Sequence, residues 1–285
     1  MESPHRGETA AVSRTTGLPA TRTSLASNLH ELGLGKGSTV LVHSSLSALG
    51  WVVGGAEAVV LALEDALGSS GTLMMPAYSM NAPEPALWEH PPVPESWWDI
   101  IRSQWPPFDR DLSPAVRLGS IAETFRHQGG TSRSDHPNHS FCARGPNAAR
   151  LLNNHSLDNS LGESSPLARL YELYGQVLLL GVDHSSNSSL HLAEYRAQWP
   201  GKQSGRLLKA RVTRDGATEE LELHDLDLNS DDFGCLGGDF ELEPGAVRRG
   251  AVGVGVGRLM AQRDLVDFGV TWIEKHRVPI KGAEE

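Results

Sequence analysis

At 285 residues, 39% hydrophobic and 21% charged, the chain has the make-up of a soluble globular protein and is long enough for one large α/β domain, favoured over two because no Pro/Ser/Gly-rich linker divides it. Its 35 acidic and 25 basic residues give a net charge of −10, which excludes the basic stripe of a nucleic-acid surface and suits a cationic ligand. Two cysteines, Cys142 and Cys235, imply no disulfide framework, and without an apolar stretch for a signal peptide (roughly 7–15 residues) or a membrane span (about 18), the expected location is the cytoplasm.

Residues 1–17 read as a disordered tail and 18–280 as a single domain. Leu25, Leu29 and Leu32 recur at helical spacing and predict a helix over 21–32. A β-branched strand over 38–43, a helix over 56–67 stopped by Gly68, and a strand over 71–75 stopped by Pro76 make a βαβ unit. Residues 81–115 hold eight prolines and four tryptophans; this is an ordered insertion, either folded over a site or packed on the domain surface. Short helices follow at 121–127, 148–153 and 166–174. The most hydrophobic strand, 177–181, belongs in the middle of a sheet. Alternation over 206–224 with Asp215-Gly216 between predicts a hairpin, and 258–276 reads as an amphipathic helix. Mixed strands and helices predict an α/β fold, three-layer α/β/α with a mixed central sheet.

Several signatures are missing. No Gly-x-x-x-x-Gly-Lys-[Ser/Thr] phosphate loop and no Gly-x-Ser-x-Gly elbow occur. Gly253-Val-Gly-Val-Gly257 has the wrong spacing for a dinucleotide fingerprint and suits a closely packed strand or turn. The run from Asp225 imitates an EF-hand but has Ser230 and Leu236 where glycine and glutamate belong, so calcium is rejected. His136 and His139 are better read as hydrogen-bonded than as metal ligands, and no metal is expected. Residues 215–243 hold eleven acids and no Lys or Arg: a solvated hairpin face, or a wall that concentrates a polycation, with Asp231 and Asp232 as direct contacts. His43-Ser44-Ser45 ends the first strand and Gly54-Gly55 opens the next helix, a setting that accommodates an anionic group.

The densest information lies in 177–196, an apolar strand, a polar loop and a helix that carries His191 and Glu194 on one face. The positive end of a helix dipole favours neutral imidazole, and a neutral imidazole beside a carboxylate is what a general base requires. Taken alone, His191 also fits a structural histidine at a helix start.

Segments 42–55, 71–76, 119–126 (Gly-Ser-Ile-Ala-Glu-Thr-Phe-Arg), 133–141 (Arg-Ser-Asp-His-Pro-Asn-His-Ser-Phe), 161–167, 178–182 and 190–195 (Leu-His-Leu-Ala-Glu-Tyr) together resemble the aminoglycoside 3-N-acetyltransferases of the antibiotic acetyltransferase family, in that family's order from about residue 20 to 276. The resemblance implies a fold distinct from the GNAT acetyltransferases, acetyl-CoA as co-substrate, and transfer to the 3-amino group of a 2-deoxystreptamine ring. An amine on another metabolite is the alternative acceptor, and a non-enzymatic cation-binding protein the alternative class. By the same resemblance His191 matches the family's histidine, Glu194 the glutamate after it, and Glu123 the acid of the 119–126 helix. His43, Ser44, Ser45, Leu46, Val53, Gly54, Gly55, Pro76 and Tyr78 are the expected coenzyme-A contacts. Asp158, Asp183, Asn187, Asp231 and Asp232 are the expected acceptor contacts; the family motif does not fix Asp183 or His184. The partners implied are a cationic aminoglycoside and coenzyme A, with neither nucleic acid nor membrane, in a monomer or homodimer.

Alkyl amines titrate near 10, so the acceptor must lose a proton before it attacks a thioester. His191 is the expected base and Glu123 or Glu194 its carboxylate partner, with direct transfer and no acyl-enzyme. Oxyanion donors are expected from backbone N–H groups or hydroxyls near 44–45 or 188–189. The acceptor's specificity is expected from the 81–115 insertion.

Overall fold

Residue alternation along the strands builds two cores, one on each face of a central sheet. A computed structural model describes residues 4–79, 84–88 and 91–277. Its strands are β1 (Thr39–Ser44), β2 (Thr72–Pro76), β3 (Ser132–Arg133), β4 (Phe141–Arg144), β5 (Gln176–Leu180), β6 (Ser204–Arg214), β7 (Ala217–Leu226), β8 (Val247–Val252) and β9 (Gly255–Ala261). Its helices are α1 (Pro4–Arg14), α2 (Arg22–Leu32), α3 (Gly55–Leu67), α4 (Trp98–Gln104), α5 (Gly119–His127), α6 (Ala148–Leu152), α7 (Pro166–Glu172), α8 (Ser189–Arg196), α9 (Phe233–Phe240) and α10 (Gln262–His276). Seven strands join in the order β3-β4-β2-β1-β5-β9-β8, and β6-β7 form a separate hairpin.

Val40, Val42, Leu73, Met75, Leu178, Leu180 and Leu259 point to one face and pack under α2, α3 and α5. Their neighbours Leu41, Met74, Val177, Leu179 and Met260 point to the other, under α6 to α10. The period-2 geometry of a strand buried on both sides thus yields the expected three layers. β1 pairs in parallel with both β2 and β5, while β4 and β9 run antiparallel. The chain leaves β1 toward β2 on one side and returns as β5 on the other, so the C-terminal ends of β1 and β5 flank a switch point, where open α/β sheets bind ligands.

Three expectations change. The 1–17 segment is not a featureless tail: residues 4–14 are helical, Ala11 is buried, and the Thr15 hydroxyl accepts the Trp51 N–H at 2.8 Å. The 258–276 helix begins only at Gln262. Residues 255–261 pair with β5 on one side and β8 on the other, and Leu259 and Met260 enter opposite cores, a strand's alternation. Gly253 and Gly255 make the close approach expected of them, since a Cβ on either would strike the backbone at Leu49 or Ala48. The insertion is tied to the hairpin: Phe108 N–H donates to the Arg211 carbonyl at 2.7 Å, and the Arg211 guanidinium returns to the Ser103 and Trp105 carbonyls at 2.7 Å. Its described residues through 113 line no part of the cleft described below. Pro83, in that insertion, and residues 1–3 and 278–280 lie outside the described residues.

Candidate active site

The switch point opens into a cleft of about 770 Å³, in the range of small-molecule sites. The end of β1 supplies His43 and Ser44 to its wall, followed by Ser45 and Leu46; Gly55 opens α3, Pro76 and Tyr78 follow β2, and Asn187, Ser188 and His191 come from the loop and first turn after β5. Most of the expected coenzyme contacts therefore share one surface. Val53 and Gly54 are not part of it; Gly54 caps α3 at φ 82° beside it.

His191 Nδ1 lies 2.5 Å from Glu194 Oε2. The carboxylate is fully buried, and its second oxygen accepts from Asn229 N–H at 3.1 Å and from Arg277 at 2.5 Å. Both its oxygens are thus occupied by donors, which is what keeps an ionised group tolerable in the interior. The imidazole is 15% exposed and touches Phe233, with ring centroids 4.8 Å apart. Its Nδ1 is engaged, so Nε2 is the nitrogen available to the cleft.

A second set of bonds fixes the start of α8. Ser188 N–H donates to His43 Nε2 at 3.4 Å, and the Tyr78 hydroxyl donates to Ser188 Oγ at 2.7 Å. Burial, reinforced by nearby His191, pushes His43 down to about 3, so its ring is a neutral acceptor. Burial likewise raises the Tyr78 phenol, which stays protonated and donating. Because Ser188 Oγ accepts from Tyr78, its own proton is free to point into the cleft. The amides of Ser45, Ser188 and Ser189 are spent on Leu180 O, His43 and Asn187 Oδ1. Of the serines expected to supply hydroxyls near 44–45 and 188–189, Ser44, Ser45 and Ser188 line the cleft, while Ser189 is buried and its hydroxyl accepts from Gln262.

Glu123 is not the partner of His191. It sits on α5 with Arg126, whose guanidinium holds its carboxyl below the usual range, and it also accepts from Ala115 N–H at 3.1 Å. Glu123 lines a different depression, between α3 and α5. Asp158 accepts from His224 N–H at 2.7 Å and Asp183 caps its own turn through Ser185 N–H at 3.0 Å; neither lines the cleft. His184 is buried beneath the loop, 3.3 Å from Glu241. Asp231 is exposed between the lining residues Ser230 and Phe233, while Asp232 is gripped by Arg277 at 2.7 Å. The acidic segment is no free wall: Asp225 is buried, and Glu219, Glu220, Asp227, Asp232 and Glu241 pair with Arg214, Lys209, Arg206, Arg277 and Arg258. His136 and His139 are hydrogen-bonded, to the Leu157 carbonyl at 3.1 Å and to Ser160 Oγ at 2.6 Å.

Sequence reasoning missed Arg117 and Phe233 on the cleft wall, the α1 contribution of Gly7, Glu8 and Ala11, and the Arg277 clamp. Arg277 lies 83 positions from Glu194, beyond any local pattern.

A buried carboxylate holding an imidazole beside a serine hydroxyl, at the switch point of a mixed α/β sheet, is an arrangement chemically able to accept a proton from a ligand in the cleft. The chain matches the family model "Aminoglycoside 3-N-acetyltransferase" over residues 41–274. It is 43% identical to the prophage-derived aminoglycoside N(3')-acetyltransferase-like protein YokD of Bacillus subtilis, covering 90% of this chain and 93% of that one. It is 38% identical to aminoglycoside N(3)-acetyltransferase VII of Streptomyces paromomycinus, covering 94% and 96%. The crystal structure of YokD superposes with a TM-score of 0.90 at 41% identity, covering 94% and 98%. The structures of AAC-IIIb with CoASH and AAC-VIa with sisomicin do so at 0.82 and 0.81, with 34% and 30% identity, each covering 92% of this chain and 99% and 100% of theirs. The chain belongs to the aminoglycoside 3-N-acetyltransferase family of acyltransferases. Its described helices include none long and apolar enough to cross a membrane.

Proposed function

We propose that this chain transfers acetyl from acetyl-CoA to the 3-amino group of the 2-deoxystreptamine ring of an aminoglycoside, by direct attack. The observation that carries the proposal is the His191–Glu194 pair with its free nitrogen in the cleft. Family membership and the CoASH- and sisomicin-bound relatives supply the two substrates. His191 Nε2 takes the proton from the acceptor amine as its nitrogen bonds to the thioester carbonyl carbon. Glu194 holds the ring and balances the imidazolium. The developing oxyanion accepts from the Ser188 hydroxyl, kept in place by Tyr78. When the C–S bond breaks, the thiolate leaves as coenzyme A and the imidazolium is the proton source at hand. His43–Leu46, Gly55, Pro76 and Tyr78 hold the coenzyme, and Asn187, with Asp231 at the rim, faces the acceptor.

The test is release of coenzyme-A thiol across a panel of aminoglycosides, with the acetylated position read by NMR. Thiol release with 3-N-acetyl product is expected. No release from any 2-deoxystreptamine compound, or acetylation at another amine, overturns the acceptor assignment. His191→Ala should lose about 10²–10⁴-fold in kcat/KM, and a near-wild-type value removes the base role.

A further inference from the structure

Arg117 is the single Lys or Arg among the described residues lining the cleft, and Glu8 is the single Asp or Glu. The Arg117 side chain is exposed, with no carboxylate partner among the described residues. Most other arginines near the cleft are committed: Arg126 to Glu123, Arg258 to Glu241, Arg277 to Glu194 and Asp232. Its backbone stands at φ 60°, a left-handed conformation disfavoured for a long side chain, and residues kept in such conformations cluster at functional sites. The segment is pinned to the wall by Val116 N–H, which donates to the Tyr78 carbonyl at 2.7 Å.

Acetyl-CoA brings a 3′-phosphate and a pyrophosphate to a chain whose net charge is −10. The overall field repels that ligand, so its phosphates need a local cation. We propose that Arg117 is the phosphate-recognising residue of the cleft, pairing with an anionic phosphate of the donor substrate. Ser44 and Ser120, which share the wall, add hydroxyls, and half-exposed Trp51 offers an apolar face. Arginine suits the task through its fixed fork of N–H donors. The inference rests on the reading of the cleft as the acetyl-CoA site.

Calorimetric titrations with CoA, 3′-dephospho-CoA and pantetheine test it on wild type, Arg117→Gly and Arg117→Lys. Glycine removes the charge and relieves the backbone, so its melting temperature should equal or exceed wild type while CoA binds about tenfold more weakly or worse, the loss of one charge-assisted bond. Pantetheine affinity should not change, lysine should recover part of the CoA loss, and the kinetic penalty should fall on the KM for acetyl-CoA. If 3′-dephospho-CoA no longer distinguishes Arg117→Gly from wild type, the 3′-phosphate is the group held; if it still does, the pyrophosphate is. Unchanged CoA affinity in Arg117→Gly, or an equal loss for pantetheine, overturns the assignment. Failure of the wild type to bind CoA overturns the reading of the cleft itself.

Discussion

At the scale of single residues, the site is organised around which groups are already satisfied. Ser188 accepts from Tyr78 and so has a proton to give. Ser188→Ala should therefore lower kcat by about 10²–10³-fold, the usual loss for one oxyanion donor, with little change in the KM for acetyl-CoA; a kcat within twofold of wild type would exclude the hydroxyl. Arg277 acts through another group. It neutralises a carboxylate that is 0% exposed, and removing one member of a buried pair strands the other. Arg277→Met should cost about 3 kcal/mol in urea unfolding and reduce kcat as Glu194 loses the contact that orients it. Loss of stability with kcat intact would show that Asn229 alone suffices to hold the carboxylate.

At the scale of elements, α8 is held at both ends: Ser188 by His43 and Tyr78, and Tyr195 by a hydrogen bond to buried Asp225. The loop before it is supported from below by α9, where Gly237 lies directly against the His184 ring and a Cβ would strike it. Alanine is the better helix former, yet overpacking should win: Gly237→Ala is expected to cost about 1–3 kcal/mol and to lower kcat by displacing the 184–188 loop. An unchanged denaturation midpoint would mean that the loop yields freely. These elements were legible to different degrees. Leu25, Leu29 and Leu32 announced α2, Asp215-Gly216 announced the hairpin turn, and the Leu-His-Leu-Ala-Glu run set His191 and Glu194 on one face of α8. The strand β9 was misread because Leu259-Met260 followed by Leu265-Val266 mimics helical spacing across a strand–helix boundary. Glu194 and Glu123 were not separated in sequence: Arg126 lies three residues after Glu123 on α5, a local pairing that the spacing offered, whereas only tertiary packing brings Arg277 to Glu194.

At the scale of the whole molecule, buried histidines link stability to pH. Burial pushes His43 and His155 down to about 3, with further lowering of His43 by His191 and of His155 by His136, and burial also lowers His136 and His139. All four are neutral in the fold, whereas the unfolded chain takes up protons near the ordinary value of about 6.5. For His43 and His155 the unfolded state therefore binds more protons between about 6.5 and 3, and stability declines as pH falls through that window, by on the order of 1 kcal/mol per pH unit for each of the two, with His136 and His139 acting in the same direction. Urea midpoints measured from pH 7 to pH 4 should fall accordingly, and His155→Gln should flatten the slope; a flat profile in the wild type would contradict it. The clamp on Glu194 also has a consequence for synthesis. β1, β2 and β5 are all translated by Leu180 and the His191–Glu194 pair by residue 194; Ser230 and Phe233 of the wall follow, and the cation that holds the carboxylate is residue 277. The carboxylate's cation is thus the last part of the site to be made, so a polypeptide cut short just before Arg277 should unfold at lower urea and turn over more slowly, as Arg277→Met should.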